Sequence, residues 1–131
     1  MAAYGRSKTA NAQFAAELDR RLAAKGVRAA SVHPGAVDTE LFRHLDSKGA
    51  ELVKTTIQHM KQTDTGAATT IWVALVADGD EIGGKWNEDC HVGVLNDSDG
   101  RGGVRSYVYD ADKAAGLWTL SEDLVDERFS W

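Results

Sequence analysis

Residues 22–35 read Leu22-Ala23-Ala24-Lys25-Gly26-Val27-Arg28-Ala29-Ala30-Ser31-Val32-His33-Pro34-Gly35, and this stretch decides the fold. Lys25-Gly26 is a helix stop: Gly tolerates the left-handed backbone just past a helix, and Lys suits the negative end of the dipole. Val27 to Val32 then reads as a short strand. His33-Pro34-Gly35 ends it, because Pro cannot donate to a central ladder. Upstream, Ala10, Phe14, Leu18 and Leu22 recur every four residues, with Ala15 widening the stripe, which predicts a helix over 3–24. Ala is abundant there, Pro is absent, and Glu17, Asp19, Arg20 and Arg21 are expected on the wetter side. A helix joined to a strand by a tight Gly turn is half of a parallel β-α-β unit.

Downstream of Pro34-Gly35 the pattern predicts a loop, then short helices over 40–48 and 51–61. Thr63 is a candidate N-cap for a longer helix over 64–77. Ala67, Ala68, Ile71, Val73, Ala74 and Leu75 make that helix broadly apolar, so it is expected to be largely buried. Residues 79–103 hold 7 of the 13 glycines and read mostly as loop, with one strand candidate over 85–90. A last helix is expected over 112–126, where Ala115, Leu117, Trp118, Leu120 and Leu124 supply apolar positions. There is no internal repeat and no low-complexity tract.

The chain has 131 residues, 43% hydrophobic and 27% charged, with a single Cys. Those proportions suit a globular domain, since disorder needs fewer apolar residues. The apolar run at 71–77 is far shorter than the about 20 residues of a membrane helix. Met1-Ala2-Ala3-Tyr4-Gly5-Arg6 lacks the apolar segment of a signal peptide, and a lone Cys90 cannot form an internal disulfide. The expected location is the cytoplasm. Net charge is −5, divided unevenly: residues 1–61 carry +4 and residues 62–131 carry −9. A net-acidic chain whose basic residues are mixed with acids is a poor match for a phosphate backbone, so no nucleic acid is expected as a partner.

Tyr4 and Lys8 are one helical turn apart and share a face. An ammonium within a few ångströms of a phenol favours the phenolate and so suits acid–base chemistry. By itself the pair is also what a surface Tyr and a solvated Lys would give. Its surroundings change that weighing. Tyr4-Gly5-Arg6-Ser7-Lys8-Thr9-Ala10-Asn11, the helix through Leu22, the turn Gly26-Val27-Arg28, and Ser31-Val32-His33-Pro34-Gly35-Ala36-Val37-Asp38-Thr39 together resemble the short-chain dehydrogenase/reductase family. The likeness is to its retinol-dehydrogenase-like and WW-domain-oxidoreductase-like branch. Thr65-Gly66-Ala67-Ala68-Thr69-Thr70, Gly84-Lys85-Trp86-Asn87-Glu88-Asp89-Cys90 and Ala114-Ala115-Gly116-Leu117-Trp118-Thr119-Leu120-Ser121-Glu122 are similar to that branch too.

The resemblance implies an α/β fold: the C-terminal half of a doubly wound, Rossmann-type parallel sheet, mostly helical, with about two strands that neighbour one another. It implies an NAD- or NADP-dependent oxidoreductase acting on a carbonyl or alcohol. Tyr4 would be the general acid/base, and Lys8 would support it and hydrogen-bond the nicotinamide ribose. Pro34, Gly35, Val37 and Thr39 would line the nicotinamide end, so the cofactor-binding set is Tyr4, Lys8, Pro34, Gly35, Val37 and Thr39. Ser7 and Asn11 are expected to pack or cap.

The departures from the family pattern matter as much. No G-x-x-x-G-x-G element for the cofactor diphosphate precedes Tyr4, and the family's upstream Ser and Asn have no counterpart. Gly100-Arg101-Gly102-Gly103 follows no credible strand and opens no helix, so it is no substitute. Residues 1–131 therefore read as a partial domain, with Met1 an internal methionine of a longer frame and the chain inactive alone. The competing reading is a non-catalytic interaction module that docks its sheet edge on a partner or forms a homodimer. A third reading is an unrelated small α/β protein with a chance Tyr/Lys pair.

Other features carry less. Leu95-Asn96-Asp97-Ser98-Asp99-Gly100 faintly suggests a calcium loop, but Leu95 and Ser106 would fall where carboxylates are needed. His33, His44, His59 and His91 show no metal-ligand spacing, and Cys90-His91 lacks further ligands, so no metal is expected. Trp72, Trp86, Trp118 and Trp131 read first as packing residues, and the acids of the last third as a solvated face.

Overall fold

A computed structural model describes residues 2–40, 49, 51, 60–98 and 102–130. Helix α1 (Ala2–Leu22) runs into a single 3-10 turn (Ala23–Lys25) and stops at Gly26, whose φ of +77° and amide bond to the Ala23 carbonyl (3.0 Å) close the helix. Strand β1 (Ser31–His33) follows. It pairs in parallel with β2 (Trp86–Glu88), aligning Ser31 with Trp86 and His33 with Glu88. Between them lie α2 (Thr63–Leu75) and the one-turn helix α3 (Gly79–Ile82). Helix α4 (Ala111–Val125) begins at Asp110, whose side chain accepts from the Lys113 amide at 3.0 Å. The result is a small α/β sheet with helices packed on it, consistent with part of a doubly wound fold.

The expected parallel neighbours are present, but both strands are shorter than expected. Residues 27–30 stay outside the ladder; the Ala29 amide goes instead to the Asp19 carboxylate at 2.9 Å. Strand β2 ends at Glu88 because Asp89 and Cys90 turn the chain with φ of +47° and +58°. That two-residue left-handed turn leads into a third strand, β3 (His91–Val92), antiparallel to β2. Sequence patterning missed both β3 and α3.

Helix α2 corrects two further expectations. Thr63 lies inside the helix, and Gln62 occupies the cap position without a side-chain hydrogen bond. The helix is also mainly exposed: Gly66 and Thr69 are its buried residues, while Ile71 is 53% and Leu75 80% accessible. Its apolar residues encircle it, and the short sheet covers one side only. The helices expected over 40–48 and 51–61 fall almost entirely outside the described residues. Lys61 itself is not helical but bridges in parallel to Val37.

The expected wet face of α1 is the larger surprise. Glu17 is 1% and Asp19 7% accessible, whereas Phe14 is 38% accessible. Both carboxylates are buried because their charges are matched. Arg20 and Arg21 hydrogen-bond Glu17 at 2.7 Å, and Arg28 grips Asp19 through both oxygens at 2.9 and 3.0 Å. Arg28 also pairs with Asp80, tying α1 to α3, and a Cβ at Gly83 would collide with its guanidinium. The core cluster is Ala12, Val104 and Val108, with Trp86 packed against it.

The Arg20 hydrogen bond leads in holding Glu17 below the ordinary carboxylate range, against the opposing effect of burial, and Arg28 does the same for Asp19. A depressed folded-state value stabilises the fold above the ordinary range, and that stability drains away as pH falls through the lowered values. Urea midpoints should accordingly hold between about pH 7 and pH 5 and fall steeply below about pH 4. The double substitution Glu17→Gln, Asp19→Asn should flatten that acid limb; an acid limb as steep as the unsubstituted chain's would refute the assignment.

Candidate active site

The first turns of α1 carry Tyr4 and Lys8. The i, i+4 spacing sets the Lys8 ammonium over the Tyr4 ring, 5.3 Å from its centroid. Tyr4 is 58% accessible, so the residue stands on an open surface. The Ser7 hydroxyl donates back to the Tyr4 carbonyl at 2.7 Å inside α1, a helix back-bond rather than the packing or capping expected of it. Asn11 is exposed.

The second group follows β1. Pro34 is exposed, and Gly35 takes φ of +84°, which an L side chain rarely adopts. Beyond it, the Lys61 amide donates to Ala36 O at 2.8 Å and the Asp38 amide donates to Lys61 O at 2.9 Å. These two bonds flank Val37. The Val37 side chain packs onto α2 at Gly66, where a Cβ would come within 2.7 Å of Val37 Cγ2. Thr39 is exposed beside this bridge.

The β2–β3 turn completes the neighbourhood. The Lys61 ammonium pairs with Asp89, and that hydrogen bond leads in holding the Asp89 carboxyl below the ordinary range; partial burial opposes it. The Cys90 amide donates to the Thr69 hydroxyl at 3.3 Å, joining the turn to α2. Fully buried Asn87 donates to Ser31 O (3.3 Å) and Lys85 O (2.9 Å), fixing β2 against β1. His33 stacks on Trp86 at 5.3 Å. Pro34-Gly35 and Asp89-Cys90 thus both lie at carboxyl ends of parallel strands, where α/β sheets bind ligands.

Of the residues singled out from sequence, the structure brings Tyr4 and Lys8 together, and it gathers Gly35 and Val37 with Lys61 and Gly66. These form two clusters carried by different elements. Lys61 and Asp89 were not singled out: they are 28 residues apart, and nothing local in the sequence pairs them. The described residues thus present an exposed phenol with an ammonium over its ring on α1, and a left-handed Gly in the bend after β1. Among the described residues no Gly-rich strand-to-helix turn fits the diphosphate. Among them, also, no group of three or more His, Cys, Asp or Glu could hold a metal, and no helix is long and apolar enough to cross a membrane.

Comparison with known proteins agrees with the fold. The family model described as short chain dehydrogenase matches residues 1–50. The chain is 36% identical over 126 residues to short-chain dehydrogenase TIC 32 A, chloroplastic, of Brassica napus, covering 95% of this chain and 37% of that protein. It is 35% identical over 123 residues to retinol dehydrogenase 12 of Mus musculus (94% and 36%). It is 33% identical over 128 residues to the WW domain-containing oxidoreductase of Gallus gallus (98% and 29%). No solved structure matches. These matches support a member of the short-chain dehydrogenase/reductase family, whose proteins are oxidoreductases that generally use NAD(P). It spans little more than a third of the length of the relatives it matches most strongly.

Proposed function

We propose that this chain supplies the proton-transfer corner of an NAD(P)-dependent oxidoreductase acting on a carbonyl/alcohol pair. The observation that carries the reading is the Lys8 ammonium above the accessible Tyr4 ring, on the helix that leads through β1 into the Pro34-Gly35 bend. In the reductive direction the Tyr4 hydroxyl gives its proton to the carbonyl oxygen; in the oxidative direction it takes the alcohol proton back. Lys8 holds the nicotinamide ribose beside Tyr4, while Pro34, Gly35, Val37 and Thr39 shape the nicotinamide end. The bound dinucleotide supplies the hydride. A relative named retinol dehydrogenase supports an alcohol/aldehyde pair as substrate.

The diphosphate cradle and the carbonyl-polarising Ser of the family are not among these 131 residues. The isolated chain is therefore expected to show no turnover and no saturable micromolar binding of NADPH or NADH by nicotinamide fluorescence. Reduced nicotinamide mononucleotide, which carries only the half this chain addresses, is expected to shift the backbone amide resonances of Val37 and Thr39 at millimolar concentration. Micromolar dinucleotide binding would overturn the division of the site, and silence of those amides would overturn the nicotinamide assignment.

A second reading, a module that docks on a second copy of itself, is favoured by the exposed apolar residues Ile71, Leu75 and Val76 along and just beyond α2. Size-exclusion chromatography separates the two: a discrete dimer supports docking, whereas a monomer refutes it.

A further inference from the structure

Lys61 is attached at both ends of its own length. Its backbone bonds the residues on either side of Val37, at 2.8 and 2.9 Å, in an isolated parallel bridge that belongs to no strand. Its side chain crosses Gly35 on the way to Asp89. A Cβ on Gly35 would lie 3.0 Å from both Cε and Nζ of Lys61, closer than ordinary packing allows. Gly at 35 therefore serves two ends at once, the left-handed bend and the passage for the lysine. Asp89 is a firm post. It sits in the tight turn between two paired strands, and the next amide is bonded to Thr69 of α2.

We propose that Lys61 is a positioning residue for residues 35–38: its backbone bridge and its ammonium act together, against Asp89, to hold that loop in one conformation. The consequence for nicotinamide binding rests on the assignment of residues 34–39 made above. A general stabilising role does not account for the arrangement. Asp89's side chain is 65% accessible, and an ion pair so exposed contributes little to global stability. What the pair controls is local: a two-bond bridge outside any sheet opens readily unless something else restrains it. Val37, seated on Gly66, restrains one side, and the Lys61 tether restrains the other.

The test is amide hydrogen exchange by NMR on the 131-residue chain, with its thermal midpoint. In Lys61→Ala and in Asp89→Asn, the Asp38 amide should exchange about tenfold faster while α4 amides and the midpoint stay put. Lys61→Arg should restore protection. In the unsubstituted chain, about 1 M NaCl should also speed exchange at Asp38, because an exposed pair is screened; this arm needs no variant to fold. Asp38 exchange within about twofold of the starting value in salt and in both variants would overturn the proposal. So would a uniform rise along the whole chain with a falling midpoint, since that is a merely structural role. A tethered loop should also bind reduced nicotinamide mononucleotide about fivefold more tightly than the Lys61→Ala loop. If the unsubstituted chain ignores the mononucleotide, the nicotinamide assignment fails while the exchange result still decides the tether.

Discussion

Tyr4→Phe is expected to lower kcat for carbonyl reduction by about two to four orders of magnitude, with KM little changed, once this chain works alongside a diphosphate-binding half. The substitution removes one oxygen and leaves the ring, so the Lys8 contact at 5.3 Å and the exposed surface persist. In the proposed role, what disappears is the proton that reaches the substrate oxygen as charge develops there. Because the hydroxyl acts in the transition state more than in the ground state, the loss belongs in kcat. Steady-state kinetics at saturating cofactor, with circular dichroism to show an unchanged fold, decides the matter. Activity within about tenfold of the parent would remove Tyr4 from the acid/base role.

Trp118→Ala is expected to cost about 3–5 kcal/mol by urea denaturation, a large share of the total for a small domain. Trp118 is 4% accessible and joins the two long helices. It stacks on Phe14 of α1 at 5.2 Å with an interplanar angle of 12°, meets Phe129 edge-on at 6.5 Å, and receives the Arg21 guanidinium at 4.5 Å. Its indole N–H donates to Glu122 at 2.9 Å, and the same carboxylate accepts the Phe129 amide. Truncation removes the indole from one wall of a half-open groove of about 320 Å³ that Phe14, Leu18, Val125 and Phe129 also line. A loss under about 1 kcal/mol would mean that α1 and α4 are held together by other contacts.

Both predictions concern residues that stood out in the sequence, and the reason is common to them. Tyr4, Lys8 and Trp118 sit on helices, where a spacing of three or four residues translates directly into shared faces. The Gly26 stop and the Pro34-Gly35 bend were legible for a similar reason, because backbone chemistry at those residues restricts the chain whatever surrounds it. Strand β3 was hidden because its turn uses Asp89-Cys90 rather than the Asn-Gly or Asp-Gly that usually marks left-handed turns. The burial of Glu17 and Asp19 was hidden because charge on a helix ordinarily reads as a wet face.

From the sequence alone come the α/β class, the order of helix, stop, strand and bend, the Tyr4–Lys8 pair and the family they resemble. These are consequences of interactions reaching no further than one or two helical turns, or of single residues with restricted backbones. Tertiary structure decided which carboxylates are buried, how far α2 is covered, and that Lys61 spans Gly35 to reach Asp89. The cover of α2 and the Lys61–Asp89 span depend on elements brought close by the parallel pairing of β1 with β2, and no local pattern encodes a contact between residues tens of positions apart. Glu17 and Asp19 are buried against arginines three to nine positions away, whose pairing only the folded chain reveals.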